Sequence, residues 1–138
     1  CHFCKNVDDY DLIYVNIKEK LQNIFIKFFT IINILIDNKI ITEFFKENNF
    51  EFCYLTRGYK SNNNKVLMVE NASQFKVEEI GDEAKLLAEI APTCVAKNRY
   101  LGYQKIAENK KFRAIIMDDG LQNFQLEYDI KILECKKK

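Results

Sequence analysis

The sequence is poor in the groups that most often build a self-contained catalytic system. Its only histidine, His2, stands at the ragged end of the chain, so a Ser-His-Asp or Cys-His arrangement is not expected. An excess of one charge is also lacking: 21 Lys and Arg face 20 Asp and Glu, which argues against a dedicated nucleic-acid binder. The five cysteines are odd in number and irregular in spacing, and no secretory signal peptide is expected with them. Reduced thiols in a cytosolic compartment fit that pattern better than a disulfide framework. A long uninterrupted apolar run is missing too, because Asn23, Lys27 and Asn33 break the most apolar stretch before it reaches the ~20 residues a spanning helix needs.

What is present is a globular composition, 48% apolar and 30% charged over 138 residues, enough for one core. The chain begins at Cys1 and ends at Lys136-Lys137-Lys138 directly after a strand-like segment, which leads to the expectation of a fragment or an interrupted reading frame. Asparagine runs such as Asn62-Asn63-Asn64 read as loop filler. Residues 9–36 carry Ile13, Val15, Ile17, Leu21, Ile24, Ile26, Phe28 and Phe29 with lysines between them. Three readings apply to that stretch: a long N-terminal helix buried or covered by a partner, an interfacial helix on a membrane, or sequence that does not fold. Residues 1–37 are accordingly set apart from an α/β core over 38–138.

From residue 38 the texture becomes one of short alternating elements. "NKIITEFFKENN" predicts an amphipathic helix stopped by Asn48-Asn49. Strands are expected at 50–56, 65–70, 93–97, 112–117 and 129–135, with helices over about 82–90 and 99–109. Strands separated by helices of that length need crossover connections, which predicts an α/β fold: three layers, a mostly parallel sheet and helices on both faces. Ligands in such sheets bind beyond the carboxyl ends of the strands, which points to Arg57-Gly58-Tyr59 and to Asp118-Asp119-Gly120.

Those segments carry the candidate chemistry. "IIMDDG" is an apolar strand ending in two carboxylates, suited to a magnesium ion that keeps waters and phosphate oxygens as its other ligands. It is equally a turn and helix cap, a frequent use of Asp-Gly. Asp82 and Glu83 fall in the first turn of a helix, where the macrodipole favours negative charge; Asp82 reads either as an N-cap or as the acceptor of a proton from an attacking hydroxyl. Arg57 can bind a phosphate bidentately and Tyr59 can stack on a ring, or both belong to an exposed turn. Arg99, at a strand-to-helix junction, suits an anion but also an ordinary surface. Cys1-x-x-Cys4 around His2 has the look of half a zinc site, yet no second pair follows at suitable spacing. Cys53, Cys94 and Cys135 lie on expected strands as small hydrophobes.

In order and spacing, "LTRGYK", "VEEIGDEAKLLAEIAPTCVAKNRYLGYQKIAENKKFRAIIMDDGLQN" and "DIKILE" resemble the tetraacyldisaccharide 4'-kinase family of Gram-negative bacteria. The resemblance rests on an S/T-R-G-Y, a G-D-E and a D-D-G-[FL]-Q segment and covers roughly residues 40–135. It implies a P-loop NTPase-like core, here incomplete, and phosphorylation by ATP and Mg2+ of the 4'-hydroxyl of the lipid A disaccharide precursor. The site of that reaction would be the bacterial cytoplasm at the cytoplasmic face of the inner membrane, with peripheral contact to that membrane and none to nucleic acid. By the same resemblance Asp118 and Asp119, with Gly120, face magnesium and the nucleotide. Asp82 activates the sugar hydroxyl with support from Glu83, and Arg57, Tyr59 and Arg99 lie near the sugar head group and nucleotide.

The departures are specific. Where the family has a G-G-x-G-K-T loop, this chain reads "FFTIINILIDNKI", which contains no glycine and has Lys39 as its nearest lysine. The family's histidine after D-D-G-[FL]-Q is Asn123, and the expectation of a fragment extends to the absence of the family's second domain. Two readings follow: part of the kinase with little catalysis by itself, or a non-catalytic α/β binding or scaffolding module. A phospho-acceptor domain built on Asp118-Asp119 is disfavoured, because those acids come on a late strand with no matching lysine after a further strand.

Overall fold

The computed structural model describes residues 30–34, 39–118, 125–127 and 130–132. In chain order the elements are β1 (Thr30–Ile34), α1 (Lys39–Glu47), β2 (Phe52–Thr56), β3 (Leu67–Val69), a 3-10 turn (Ala72–Gln74), α2 (Val77–Ile80), α3 (Asp82–Ile90), β4 (Thr93–Val95), α4 (Arg99–Glu108), β5 (Ala114–Asp118) and β6 (Ile130–Ile132). The strands form one sheet in the order β3-β4-β2-β5-β1-β6. All its described pairings are parallel except that of the edge strand β3 with β4.

The mostly parallel α/β sheet expected from the alternation is therefore observed. The long N-terminal helix is overturned over its last part: Thr30–Ile34 is a strand, paired with β5 on one side and β6 on the other. An apolar run without clear periodicity fits a buried helix and a buried parallel strand equally, and the β-branched Thr-Ile-Ile favours the strand. The remainder of that expectation, with the Cys1-His2-Cys4 group, lies outside the described residues, as does Cys135.

Both faces of the sheet are covered, which explains why β2 is buried at every position rather than alternating. On one face, Ile41, Phe44 and Phe45 of α1 and Leu87 of α3 pack on Phe52, Tyr54, Ala114 and Ile116. Phe45 is the centre of that layer, with ring centroids of Phe50 and Phe52 at 5.1 and 5.3 Å. Thr42 and Tyr54 share a buried hydrogen bond between their hydroxyls, so the two polar atoms within this layer satisfy each other. On the other face, Cys53, Leu55, Cys94, Ala96, Ile115 and Met117 meet Ile106 of α4 together with Phe112 and Leu126. A third cluster, Val69, Ala72, Ile80, Ala84, Ala88 and Val95, seats α2 and α3 against the β3 edge.

Local signals set the helix limits. After α1, Asn49 takes φ 52°, and the Phe50 amide donates to Phe45 O at 2.7 Å, closing the helix in the way an αL residue allows. Asn98 caps α4 by accepting from the amides of Tyr100 and Leu101 at 3.0 and 3.2 Å. Parallel strands and their return helices leave the carboxyl ends of β1, β2, β4 and β5 at one edge of the sheet, and α3 starts at that same edge.

Candidate active site

At that edge Ile34 of β1 is in register with Asp118 of β5, and Leu55 of β2 with Met117. Thr56, the last residue of β2, is paired with Val95 on its other side. The loop leaving β2 thus stands between the end of β5 on one side and the loop leaving β4 on the other, at the edge where parallel sheets bind ligands.

The loop after β2 is built tightly. A turn over Gly58–Ser61 closes with the Ser61 amide donating to Gly58 O at 2.9 Å, and the next amide, Asn62, donates to Glu78 O at 2.9 Å. Lys97, from the loop after β4, donates from Nζ to Ser61 O at 3.2 Å. Fastened on both sides, the turn displays Tyr59 with 73% of its surface exposed. The Lys60 ammonium lies 5.5 Å from its ring centroid, within cation–π range. Lys60 itself adopts φ 61°, a left-handed backbone conformation that residues other than glycine rarely take. Arg57 is exposed at the start of this loop.

The acidic first turn of α3 is brought to this loop by glycines. Gly81, at φ 89°, lies so close to the loop that a Cβ on it would run into Tyr59 O and come 3.2 Å from the Gly58 carbonyl carbon. Gly58, at φ 64°, would place a Cβ 2.8 Å from Ile80 O. Backbone therefore meets backbone where two side chains would not fit. The result is a contact between the two segments: Thr56 donates from Oγ1 to Glu83 Oε1 at 3.5 Å, and the Gly58 amide donates to Thr56 Oγ1 at 3.5 Å. Asp82, one residue earlier on the helix, is exposed.

Among the residues singled out from sequence, Arg57, Tyr59, Asp82 and Glu83 are thus gathered at one edge, with the backbone of Asp118 ending the strand beside Thr56. Arg99 is placed differently: it opens α4 at the same edge but is only 7% exposed, so its side chain belongs to the interior of the β4–α4 junction rather than to an open surface. Asp119, Gly120 and Asn123 lie outside the described residues. Among the described residues no group of three or more His, Cys, Asp or Glu forms a metal cluster. Magnesium asks for less than that, one or two carboxylates completed by water and phosphate oxygens, and a strand-end aspartate supplies hard oxygen donors of the right kind.

Thr56, Gly81 and Lys97 were not singled out by the sequence reading. For the first two the signal was there: Thr56 opens the T-R-G-Y segment and Gly81 the G-D-E segment. For Lys97 there was none, because a lysine after a strand is commonplace and only the fold sets it against the Ser61 carbonyl.

Burial separates the two described cysteines from this chemistry. Desolvation, reinforced by the neighbouring Cys94 thiol, drives the Cys53 thiol far above its ordinary range. Desolvation pushes Cys94 up to about 12 despite the opposing pull of Lys105. Both are inert core residues at neutral pH.

The family model for tetraacyldisaccharide-1-P 4'-kinase matches residues 38–136. The tetraacyldisaccharide 4'-kinase of Aquifex aeolicus is 37% identical, over 62% of this chain and 29% of its own length. That of Methylobacterium nodulans is 42% identical, over 63% of this chain and 25% of its own. Among solved structures, LpxK from Aquifex aeolicus in complex with ATP superposes with a TM-score of 0.61 at 22% identity, covering 88% of this chain and 45% of that one. The likeness in fold includes the mostly parallel sheet and its flanking helices. The chain spans between a quarter and a third of the two curated relatives it matches here.

Proposed function

The chain belongs to the tetraacyldisaccharide-1-P 4'-kinase family, and from that premise we propose that it carries the acceptor-activating and magnesium-facing part of a kinase that phosphorylates the 4'-hydroxyl of the lipid A disaccharide precursor with ATP. The observation that supports this most is the junction at the carboxyl edge of the sheet, where Gly58 and Gly81 let the first turn of α3 approach the Arg57-Gly58-Tyr59 loop beside the end of β5.

In this reading Asp82, exposed in the first turn of α3, accepts the proton of the attacking sugar hydroxyl. Glu83, held back toward Thr56, supports it by fixing the first turn of α3. Arg57 and Tyr59 form a positively charged and aromatic rim for the phosphorylated sugar head group. Arg99 contributes its charge from within the β4–α4 junction. Asp118, with Asp119, would hold Mg2+ at the end of β5. When bound there, magnesium neutralises charge on the phosphate oxygens during transfer. Phosphoryl transfer demands positioning and electrostatics more than covalent help, and these residue types meet that demand.

The nucleotide side is where the fit weakens. The four residues joining β1 to α1 are Leu35, Ile36, Asp37 and Asn38, and the first glycine in the chain is Gly58. A backbone cradle for phosphates needs residues that accept positive φ and turn their amides inward. That observation favours a second reading, a non-catalytic α/β module that binds the sugar phosphate without turnover. The proposed setting is the cytoplasmic face of the inner membrane with peripheral contact, and no described helix is long and apolar enough to cross a membrane.

Two assays with radiolabelled ATP, magnesium and the tetraacyldisaccharide lipid separate the readings. The chain by itself is expected to turn over at least ~100-fold more slowly than the Aquifex relative, the loss that follows removal of transition-state phosphate contacts. Exchanging Thr56–Asp118 into that relative is expected to preserve activity, and adding D82N to the exchanged protein to reduce it by about 100-fold or more. A folded but inactive exchange protein would refute the kinase reading; brisk turnover by the chain alone would refute the importance given to the missing glycines.

A further inference from the structure

We propose that Thr56 is a positioning residue of this site: its hydroxyl joins the turn after β2 to the acidic first turn of α3 by fixing the Glu83 carboxylate. Its significance for catalysis rests on the kinase reading above, but the contact itself does not.

Thr56 is 3% exposed at the end of a strand whose other members, Phe52, Cys53, Tyr54 and Leu55, are chosen for packing. A valine has the same shape, so packing alone gives no reason for a hydroxyl there. Burying a hydroxyl without partners is unfavourable, and this one has a partner on each side: it accepts from the Gly58 amide and donates to Glu83 Oε1, both at 3.5 Å. Only a group that donates and accepts through one atom can serve both contacts from a single position. Both distances stand at the long end of the hydrogen-bond range.

The surrounding geometry gives the contact its consequence. Gly58 and Gly81 bring the two backbones together without side chains between them, but neither can orient a carboxylate. Consecutive residues on a helix point about 100° apart, so a Glu83 turned toward Thr56 leaves Asp82 directed elsewhere on the first turn, both residues being exposed. Thr56 thereby sets the orientation of the first turn of α3 without touching substrate.

The test uses the full chain and nuclear magnetic resonance. Side-chain couplings report the rotamers of Glu83 and Asp82, and exchange reports the Gly58 amide, in wild type, T56V and T56S. Wild type and T56S are expected to share one dominant Glu83 rotamer. In T56V its preference should fall about fivefold, the equivalent of one net hydrogen bond of about 1 kcal/mol, and Gly58 amide exchange should quicken. A general loss of stability would not be rescued by serine in this residue-specific way. An unchanged Glu83 rotamer in T56V, or averaging in T56S equal to that in T56V, would overturn the proposal. If T56V fails to fold, E83A serves instead: exchange of the Thr56 hydroxyl proton should accelerate, and unaltered exchange would overturn it. No phosphoryl transfer is measured, so failure of the kinase reading leaves this test intact.

Discussion

Replacing Gly81 by alanine perturbs the close backbone approach between the Arg57-Gly58-Tyr59 loop and the start of α3. At φ 89° and ψ 155° an L-residue is strained, at a cost of about 1–3 kcal/mol. The new Cβ would also press on Tyr59 O, a backbone atom of a loop already fastened by Ser61, Asn62 and Lys97, so the neighbour cannot give as a flexible side chain would. Against this, alanine lowers the entropy of the unfolded chain, offsetting about 0.4–1 kcal/mol. The net expectation is a loss of about 1–3 kcal/mol, or a fall in Tm of about 4–12 °C for a domain of this size. Urea titration and thermal melting measure that loss, while amide shifts at Tyr59, Asp82 and Glu83 report whether the two segments have parted. An unchanged Tm with shifts confined to residue 81 would refute the reasoning, because it would mean that the close approach carries neither strain nor position.

Other expectations follow from the same structure. Phe45→Ala removes the ring between Phe50 and Phe52 and should cost about 3–5 kcal/mol in urea unfolding. Asn98→Ala leaves the amides of Tyr100 and Leu101 without their cap and should cost about 1 kcal/mol, with faster hydrogen exchange confined to the first turn of α4. Cys53 and Cys94 should resist a thiol reagent in the native chain and react on unfolding. Their thiols titrate higher in the folded than in the unfolded state, where the ordinary value is 9.0, so the unfolded chain loses its thiol protons first. Stability from this source is complete below about pH 9 and declines as pH rises toward 12, and substituting both cysteines by alanine should flatten that alkaline decline.

The expected and observed elements differ in ways that have physical causes. Asp82–Ile90 and Arg99–Glu108 could be placed from sequence because their limits are local: acids in a first turn and a strand-like segment on either side. The edge strand β3 was expected as a strand, but its antiparallel direction was not, since direction depends on how a loop returns and leaves no mark in a three-residue Leu-Met-Val. Thr30–Ile34 reads as part of a helix from sequence because a short apolar run lacks the periodicity that tells strand from helix, and only its pairing with β5 and β6 decides. The T-R-G-Y and G-D-E segments could be seen as motifs, yet their meeting could not, because Thr56 and Glu83 are separated by 27 positions.

By itself the sequence determined the alternation of strands and helices, the parallel bias of the sheet, the candidate acids Asp82, Glu83 and Asp118, and a family likeness carried by three short motifs in order. These are properties of neighbouring residues, set by side-chain period, capping and composition. Only the tertiary structure decided that β1 lies between β5 and β6, that Arg99 is buried while Arg57 and Tyr59 are displayed, and that Thr56, Gly58 and Gly81 join two distant motifs. Burial and close approach depend on which elements pack together, and packing sums many weak contacts between residues far apart in the chain, so no local stretch can record it.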